Sequence, residues 1–212
     1  MAGKVLIIAD RPDWAIARNV DAQVKLLAGK YDIDRAYFAK RSSVSDERGY
    51  SHFSSFDFER YDLIVTRALT FAPPALIERL ERAGREKTAD TIGSHHVFDS
   101  PETSRAYRKL SRLFSSVLCV SDEIYERARR FFAGEPHRVF FTPMGIDTDI
   151  FFNNMSTWNR SFTVGWTGNA AHGGDRDHKR FYSLVTPLIL NNASEFGFRL
   201  AVRNVNDGVK QQ

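Results

Sequence analysis

Two adjacent histidines, His95 and His96, stand shortly after "ADTIG", a short segment that is predicted to be a strand. The carboxyl end of a strand in an open α/β sheet is where such sheets bind ligands. An imidazole there could exchange a proton or hold a metal, but the other ligands of a metal set do not accompany the pair. Adjacent residues on an extended chain point opposite ways, which predicts that one ring faces the ligand. A loop pair with one hydrogen-bonded and one solvated ring is the alternative.

A second polar group, "DRPDW", follows the apolar run Val5–Ala9. Asp10 and Arg11 could line a pocket for an acceptor molecule, and Trp14 could stack on a flat ligand such as a sugar ring. Asp13 is better explained as the N-cap of the helix that follows, because a carboxylate there accepts from free backbone amides. The roles of Asp10 and Arg11 stay open between these two interpretations.

A glycine-rich segment, "GWTGNAAHGGDRD", begins at Gly165 and precedes a predicted helix. Glycines let backbone amides approach an anion closely, and the helix presents its positive end. Lys179, in the first helical turn, could add a point charge to a diphosphate. The alternative is a solvated lysine beside a flexible loop. The spacing matches neither a P-loop nor the dinucleotide fingerprint, which disfavours an ATPase or a dehydrogenase. The predicted anion site comprises Gly168, Asn169, Gly173, Gly174 and Lys179.

Two aspartates, Asp147 and Asp149, lie in "FFTPMGIDTDIFF". They lack the glycine and distal glutamate of a calcium loop, and no histidine lies in the segment, so a metal site is disfavoured. A turn suffices to explain them, since Gly145 permits unusual backbone angles and Asp147 can bond to nearby amides. The sequence therefore predicts no metal and no cofactor.

The elements that would position these residues alternate regularly along the first 150 residues or so. Apolar runs predict strands that are buried on both faces, as in a parallel sheet. The segments between them have helical periodicity, except residues 40–60, which are polar and aperiodic and predict a long surface loop or a short edge element. The predicted strands are Val5–Ala9, Ile33–Phe38, "YDLIVTR", "ADTIG", "VLCVS" and "RVFFT", and the predicted helices include Pro74–Ala83 and Asp122–Phe132.

This alternation predicts an α/β fold with a doubly wound parallel sheet over residues 1–152. Residues 153–212 contain one further strand–helix–strand unit, with a helix through Phe181 and Leu188 that Pro187 is expected to kink. One unit is too little for a complete domain. The chain is therefore interpreted as one domain followed by the beginning of a second.

The composition is that of a soluble globular protein, with 212 residues and a formal net charge of +4. Cys119 is the only cysteine, which excludes an intramolecular disulfide and a cysteine-based metal site. The apolar runs are too short for a signal peptide or a membrane span, so a cytoplasmic location is expected. The basic, aromatic segment "YERARRFFAGEPHR" is either a packed helix with a solvated face or a contact with an anionic membrane.

Three motifs in order resemble GT-B fold glycosyltransferases, notably those of family 4. "TPMGIDTDIF" resembles their "PNGVDTxxF" linker segment, with Met144 in place of the usual asparagine. "VLCVSDEIYE" is similar to their "xxVSxxxxE" turn. "FTVGWTGN" with "DHKRF" is similar to the "xxGWxGxxxxxKG" opening of the second domain, with Arg180 in place of a glycine. The resemblance covers roughly Val117 to Phe181.

The resemblance implies two Rossmann-like domains, an acceptor-side domain over 1–152 and part of a nucleotide-sugar domain over 153–212. A sugar would pass from a nucleotide-diphosphate sugar to an acceptor hydroxyl, with retention and without a metal, in glycan or polysaccharide biosynthesis. Lys179 would contact the donor diphosphate, and one of the two histidines would face the transferred sugar or the acceptor. The acceptor would be a saccharide or a lipid-linked molecule, and no nucleic acid is expected to bind.

The family's paired glutamates, which hold the donor sugar and ribose, are not found between Phe198 and Gln212. The chain is therefore expected to be truncated within the second domain or catalytically incomplete. Two other functions stay open. One is a non-catalytic module that binds a saccharide or a protein, and the other is a sugar-nucleotide epimerase with the same two-domain architecture.

Overall fold

The computed structural model describes residues 3–12, 15–39, 49–67, 69–144, 183–184 and 186–192. The chain divides into two compact units, Met1–Phe151 and Phe152–Gln212. The strands are β1 (Lys4–Ala9), β2 (Asp32–Tyr37), β3 (Tyr50–His52), β4 (Leu63–Arg67), β5 (Thr88–Ile92), β6 (Ser116–Cys119) and β7 (Arg138–Phe141). The helices are α1 (Ala15–Leu27), α2 (Pro74–Ala83), α3 (Pro101–Leu110), α4 (Asp122–Phe131) and α5 (Thr186–Asn192).

The seven strands form one parallel sheet in the order β3-β2-β1-β4-β5-β6-β7. Side chains alternate between its faces along each strand. Leu6 and Ile8 of β1 lie in the core that α2, α3 and α4 cover. Ile7 and Ala9 lie in the core that α1 covers. Because the helices occupy both faces, the fold is a doubly wound, Rossmann-like α/β sheet, and the predicted fold class of this unit is confirmed.

The helix ends follow the local signals in the sequence. Pro74 and Pro101 occupy the first turns of α2 and α3, where a missing backbone N–H costs no hydrogen bond. Ser121 caps α4, since its Oγ accepts from the Ile124 backbone N at 3.3 Å. The bounds of α2 match the prediction, and α4 ends one residue before the predicted Phe132.

The segment before β4 was predicted to be a long surface loop or a short edge element, and the structure has the edge element. It contains the edge strand β3 and two 3₁₀ turns, Phe53–Ser55 and Phe58–Arg60. Phe53 and Phe58 are buried in the core beneath α2. Each phenylalanine is an isolated apolar residue among serines and charged residues. The segment therefore has no hydrophobic periodicity that would predict their burial. Residues 40–48 lie outside the described part of the chain.

In the second unit, the structure describes residues 183–184 and α5. Pro187 is the second residue of α5, in the first turn, where proline is tolerated. The predicted strands of this unit lie outside the described residues. Across the described ranges, no helix combines the length and the apolar character that crossing a membrane requires.

We expect Leu80→Ala to lower the free energy of unfolding by about 2–5 kcal/mol, because it removes a large side chain from a packed core. Leu80 of α2 is 0% exposed in the larger core. Leu26→Ala deletes the same atoms where the side chain is 76% exposed, and should change stability by less than about 0.5 kcal/mol. Urea denaturation of both variants measures the difference, and equal losses would contradict the assigned core.

Candidate functional site

A cavity of about 290 Å³ lies at the carboxyl-terminal edge of the sheet. Residues that follow β4, β5, β6 and β7 line it, together with the first turns of α1. It adjoins β4 and the start of α1, beside the β1–β4 pair at which the connecting helices change from one face of the sheet to the other. Ligands of open α/β sheets bind at such switch points. Most of its described lining is apolar, including Ile16, Leu69, Phe71, Ile92, Val97 and Val120.

One of the two predicted histidines, His96, lines this cavity. The pair lies in a 3₁₀ turn, His95–Phe98, which begins where Ser94 Oγ accepts from the His96 backbone N at 3.4 Å. The expectation of an extended chain at this point is therefore wrong, because the serine cap closes a turn directly after β5. The side chain of His95 lies outside the described part of the structure.

The His96 ring is held by a carboxylate. Its Nδ1 lies 3.0 Å from Asp99 Oδ2, and Asp99 Oδ1 lies 3.7 Å from Arg127 Nη1 on α4. A neutral ring that donates its Nδ1–H to Asp99 leaves the Nε2 lone pair to accept a proton. The arrangement orients a base and fixes its tautomer, which is what a group receiving a proton from a hydroxyl requires.

The other predicted acceptor residues lie apart from this histidine turn. Asp10 is buried, and its Oδ1 accepts from the Arg11 backbone N at 2.8 Å. Its carbonyl oxygen accepts from the Phe38 and Ala39 backbone amides, which joins the ends of β1 and β2. Neither Asp10 nor Arg11 is among the described residues that line the cavity. Their role in acceptor binding stays a prediction.

The remaining predicted site residues lie outside the described part of the chain. These are Asp13, Trp14, Gly145, Asp147, Asp149, Gly168, Asn169, Gly173, Gly174 and Lys179. Met144 is described, and it replaces the asparagine of the resembled linker motif. It lines the cavity, and its Sδ accepts from Asn19 Nδ2 of α1 at 2.9 Å.

A buried carboxylate, Asp90 of β5, also borders the cavity and was not singled out by the sequence analysis. It is 2% exposed. Tyr107 Oη donates to Asp90 Oδ2 at 2.6 Å, and Thr66 Oγ1 donates to Oδ1 at 2.7 Å. Burial raises the pKa of Asp90 to about 6, although these hydrogen bonds favour the charged form. In the sequence, the feature that could have identified Asp90 is an acidic residue inside a predicted strand.

A buried cation, Arg67, occupies the last position of β4 and lines the same cavity. The side chain lies on the α1 side of the sheet, where its Nη2 donates to Gln23 Oε1 at 2.7 Å. Burial lowers the pKa of Arg67, and the nearby Tyr50 and Asp90 offset part of this effect. The sequence signal was an arginine at the end of an otherwise apolar strand. Most arginines in such positions extend to solvent.

Within the described ranges, no three histidine, cysteine, aspartate or glutamate side chains converge as a metal site would require. No protein-family model matches the sequence, and no curated protein matches it either. The fold and the cavity are thus the observations on which a functional assignment can rest, and the resemblance to glycosyltransferases stays an expectation.

We expect Asp90→Asn to remove a pH-dependent cost to stability. The folded-state pKa of about 6 exceeds the ordinary aspartate pKa of 3.8, so the folded protein binds the proton more tightly than the unfolded chain. Stability contributed by Asp90 is present below pH 4 and is lost as the pH rises towards 6. Relative to the wild type, Asp90→Asn should therefore gain up to about 3 kcal/mol between pH 4 and pH 7.

Urea denaturation at pH 4, 5, 6 and 7 measures this difference. The pH 4 value is the internal control, because the carboxyl is protonated there in the folded protein and resembles the amide in charge. A difference between the two proteins that stays constant across the range would contradict a buried, titrating Asp90.

Proposed function

We propose that this protein is a glycosyltransferase that moves a sugar from a nucleotide-diphosphate sugar to an acceptor hydroxyl. The unit Met1–Phe151 would hold the acceptor, and residues of 153–212 would bind the donor. The observation that carries the proposal is the Asp99-oriented His96 on the wall of a cavity at the switch point of a doubly wound sheet. The three motifs in chain order add to it. A cytoplasmic location, with contact to a membrane surface through the basic α4 region, is part of the proposal.

In the proposed reaction, the acceptor hydroxyl lies in the cavity and donates its hydrogen bond to His96 Nε2. The bond from this oxygen to the anomeric carbon forms, the bond from that carbon to the diphosphate breaks, and the diphosphate leaves with the bonding pair. The hydroxyl proton passes to His96 or to the departing diphosphate. Asp99 keeps the imidazole in the tautomer that can accept the proton.

The charge that develops on the diphosphate needs stabilisation from fixed dipoles and cations. In this proposal, the amides of Gly168, Asn169, Gly173 and Gly174 and the ammonium group of Lys179 supply it. Their positions in the chain, before and within the first turn of a predicted helix, support that role. A protein whose Met1–Phe151 unit binds saccharides without donor chemistry is the competing function, and donor binding separates the two.

We expect Lys179→Ala to weaken binding of a nucleotide-diphosphate sugar by roughly 10- to 100-fold, which corresponds to the loss of one charge-assisted hydrogen bond. Isothermal titration calorimetry with UDP-glucose, UDP-N-acetylglucosamine and GDP-mannose measures the affinity. Lys30→Ala removes an equal charge in the first unit and should leave the affinity unchanged. Absence of binding by all three sugar nucleotides would reject the transferase and favour the binding module.

We expect His96→Asn to lower the rate of sugar transfer by about 10²-fold or more, because it removes the group that accepts the hydroxyl proton. Donor affinity should not change. The measurement is mass spectrometry of glycoside formed from a saccharide acceptor panel. His52→Asn is the control, since His52 ends β3, four strand positions from β5 and therefore roughly 19 Å away. Equal rates for His96→Asn and the wild type would exclude a catalytic role for His96.

A further inference from the structure

Within the part of the chain that the structure describes, two buried hydrogen-bond donors at the carboxyl edge of the sheet have no hydrogen-bond partner. They are Arg67 Nε and Thr91 Oγ1. Each residue is 6% exposed. An unsatisfied buried donor costs stability, and native proteins rarely keep one without a reason. Two such donors side by side therefore point to a group that is absent from the protein itself.

The two residues are neighbours across the sheet. Arg67 is the register partner of Thr91 in the parallel pair of β4 and β5. Register partners in a parallel pair project from the same face at about the strand spacing of 4.8 Å. Thr66, one position earlier, bonds to Asp90 on the opposite face, which places Arg67 and Thr91 together on the α1 side. Both residues line the 290 Å³ cavity.

The guanidinium group of Arg67 is fixed in place but only partly used. Its Nη2 donates to Gln23 Oε1 at 2.7 Å, and Nη2 carries a second N–H. The Nε–H and one N–H of Nη2 form the edge of the planar group that can bind an oxyanion with two parallel hydrogen bonds, and Nε has no partner among the described residues. The carboxylate of Asp90 already accepts from Thr66 and Tyr107. Asp90 therefore acts on Arg67 through its charge, and among the described residues no acceptor is hydrogen-bonded to Arg67 Nε.

We propose that Arg67 and Thr91 form an anion-binding subsite that takes the carboxylate or phosphate group of a small organic ligand. Two oxygens of the anion would accept from the Arg67 edge, and the Thr91 hydroxyl would donate to an oxygen as well. The apolar side chains of Val120 and Met144, which line the same space as Arg67 and Thr91, would cover the uncharged part of the ligand. The identity of the acceptor rests on the proposed function. If the protein is a glycosyltransferase, the subsite makes its sugar acceptor an anionic molecule such as a sugar phosphate or a sugar acid.

The test is a titration of the full chain with phenyl phosphate and, separately, with benzoate, followed by calorimetry and by thermal unfolding. Saturable binding of one of the two probes, with a matching rise in Tm, is expected. The preferred probe identifies the anion as phosphate or carboxylate. Arg67→Lys keeps the charge but loses the two-point edge, and should weaken the binding roughly 10- to 100-fold.

Thr91→Val is the second variant, because it has nearly the same shape and does not disturb the buried cation. It should weaken binding roughly 2- to 10-fold, as expected for one neutral hydrogen bond. Thr88→Val is the matched control. Thr88 lies at the other end of β5, and its Oγ1 is already bonded to the Gly84 carbonyl oxygen at 3.2 Å. This change should lower Tm without changing probe affinity.

Failure to bind either probe, or unchanged affinity in Arg67→Lys and Thr91→Val, overturns the subsite. These outcomes can be distinguished from failure of the transferase proposal. Anion binding that depends on Arg67, in a protein that binds no nucleotide sugar, upholds the subsite and rejects the transferase. Sugar transfer to neutral acceptors, without anion binding, upholds the transferase and rejects the subsite.

Discussion

The parallel pairing of seven strands is the constraint on which the rest of the structure depends. Parallel strands need helical crossovers, and these crossovers cover both faces of the sheet with apolar side chains. All seven carboxyl ends then open on a single edge. Because α1 leaves β1 on one face and α2 leaves β4 on the other, the connections diverge there, and a cavity forms at this edge without any residue dedicated to making it.

The same pairing explains why polar groups near this edge have unusual properties. Asp90 and Arg67 belong to strands that have neighbours on both sides and helices above and below. Both side chains are largely shielded from solvent, so their charges interact in a medium of lower polarity than water. The raised pKa of Asp90, about 6, follows from that environment, and Arg67 Nε lacks a hydrogen-bond partner among the described residues there. His96 differs because its side chain is exposed, and the carboxylate of Asp99 lies against its ring.

The sequence predicted those parts of the fold that local patterns determine. The runs around Leu6, Ile64 and Val117 are long enough to identify buried strands. Ser121 is recognisable as a helix cap, because acidic residues of a first helical turn follow it directly. Phe53 and Phe58 were missed, because an isolated aromatic in a polar segment carries no periodicity. Their burial depends on α2, which begins 21 residues after Phe53 and 16 residues after Phe58.

The site was predictable to a smaller extent and for a similar reason. His96 could be found from its place after a strand, but the 3₁₀ turn that orients it depends on Ser94 and Asp99 acting together. Arg67 was harder to identify as a site residue from the sequence. Its burial depends on Gln23, which is 44 residues earlier, and on Thr91 in the neighbouring strand. Contacts of this kind are set by the topology of the sheet, and a pattern within one segment does not contain them.

Because Gln23 of α1 is hydrogen-bonded to Arg67, the α1 wall of the cavity is harder to displace than the wall that follows β4. Swinging α1 outward would break a charge-assisted bond at a place where no solvent replaces it, which costs about 1.5–3 kcal/mol. Phe71, on the wall after β4, is exposed and its ring can rotate with little loss. A ligand should therefore enter the cavity by displacing this phenyl ring, while α1 stays in place.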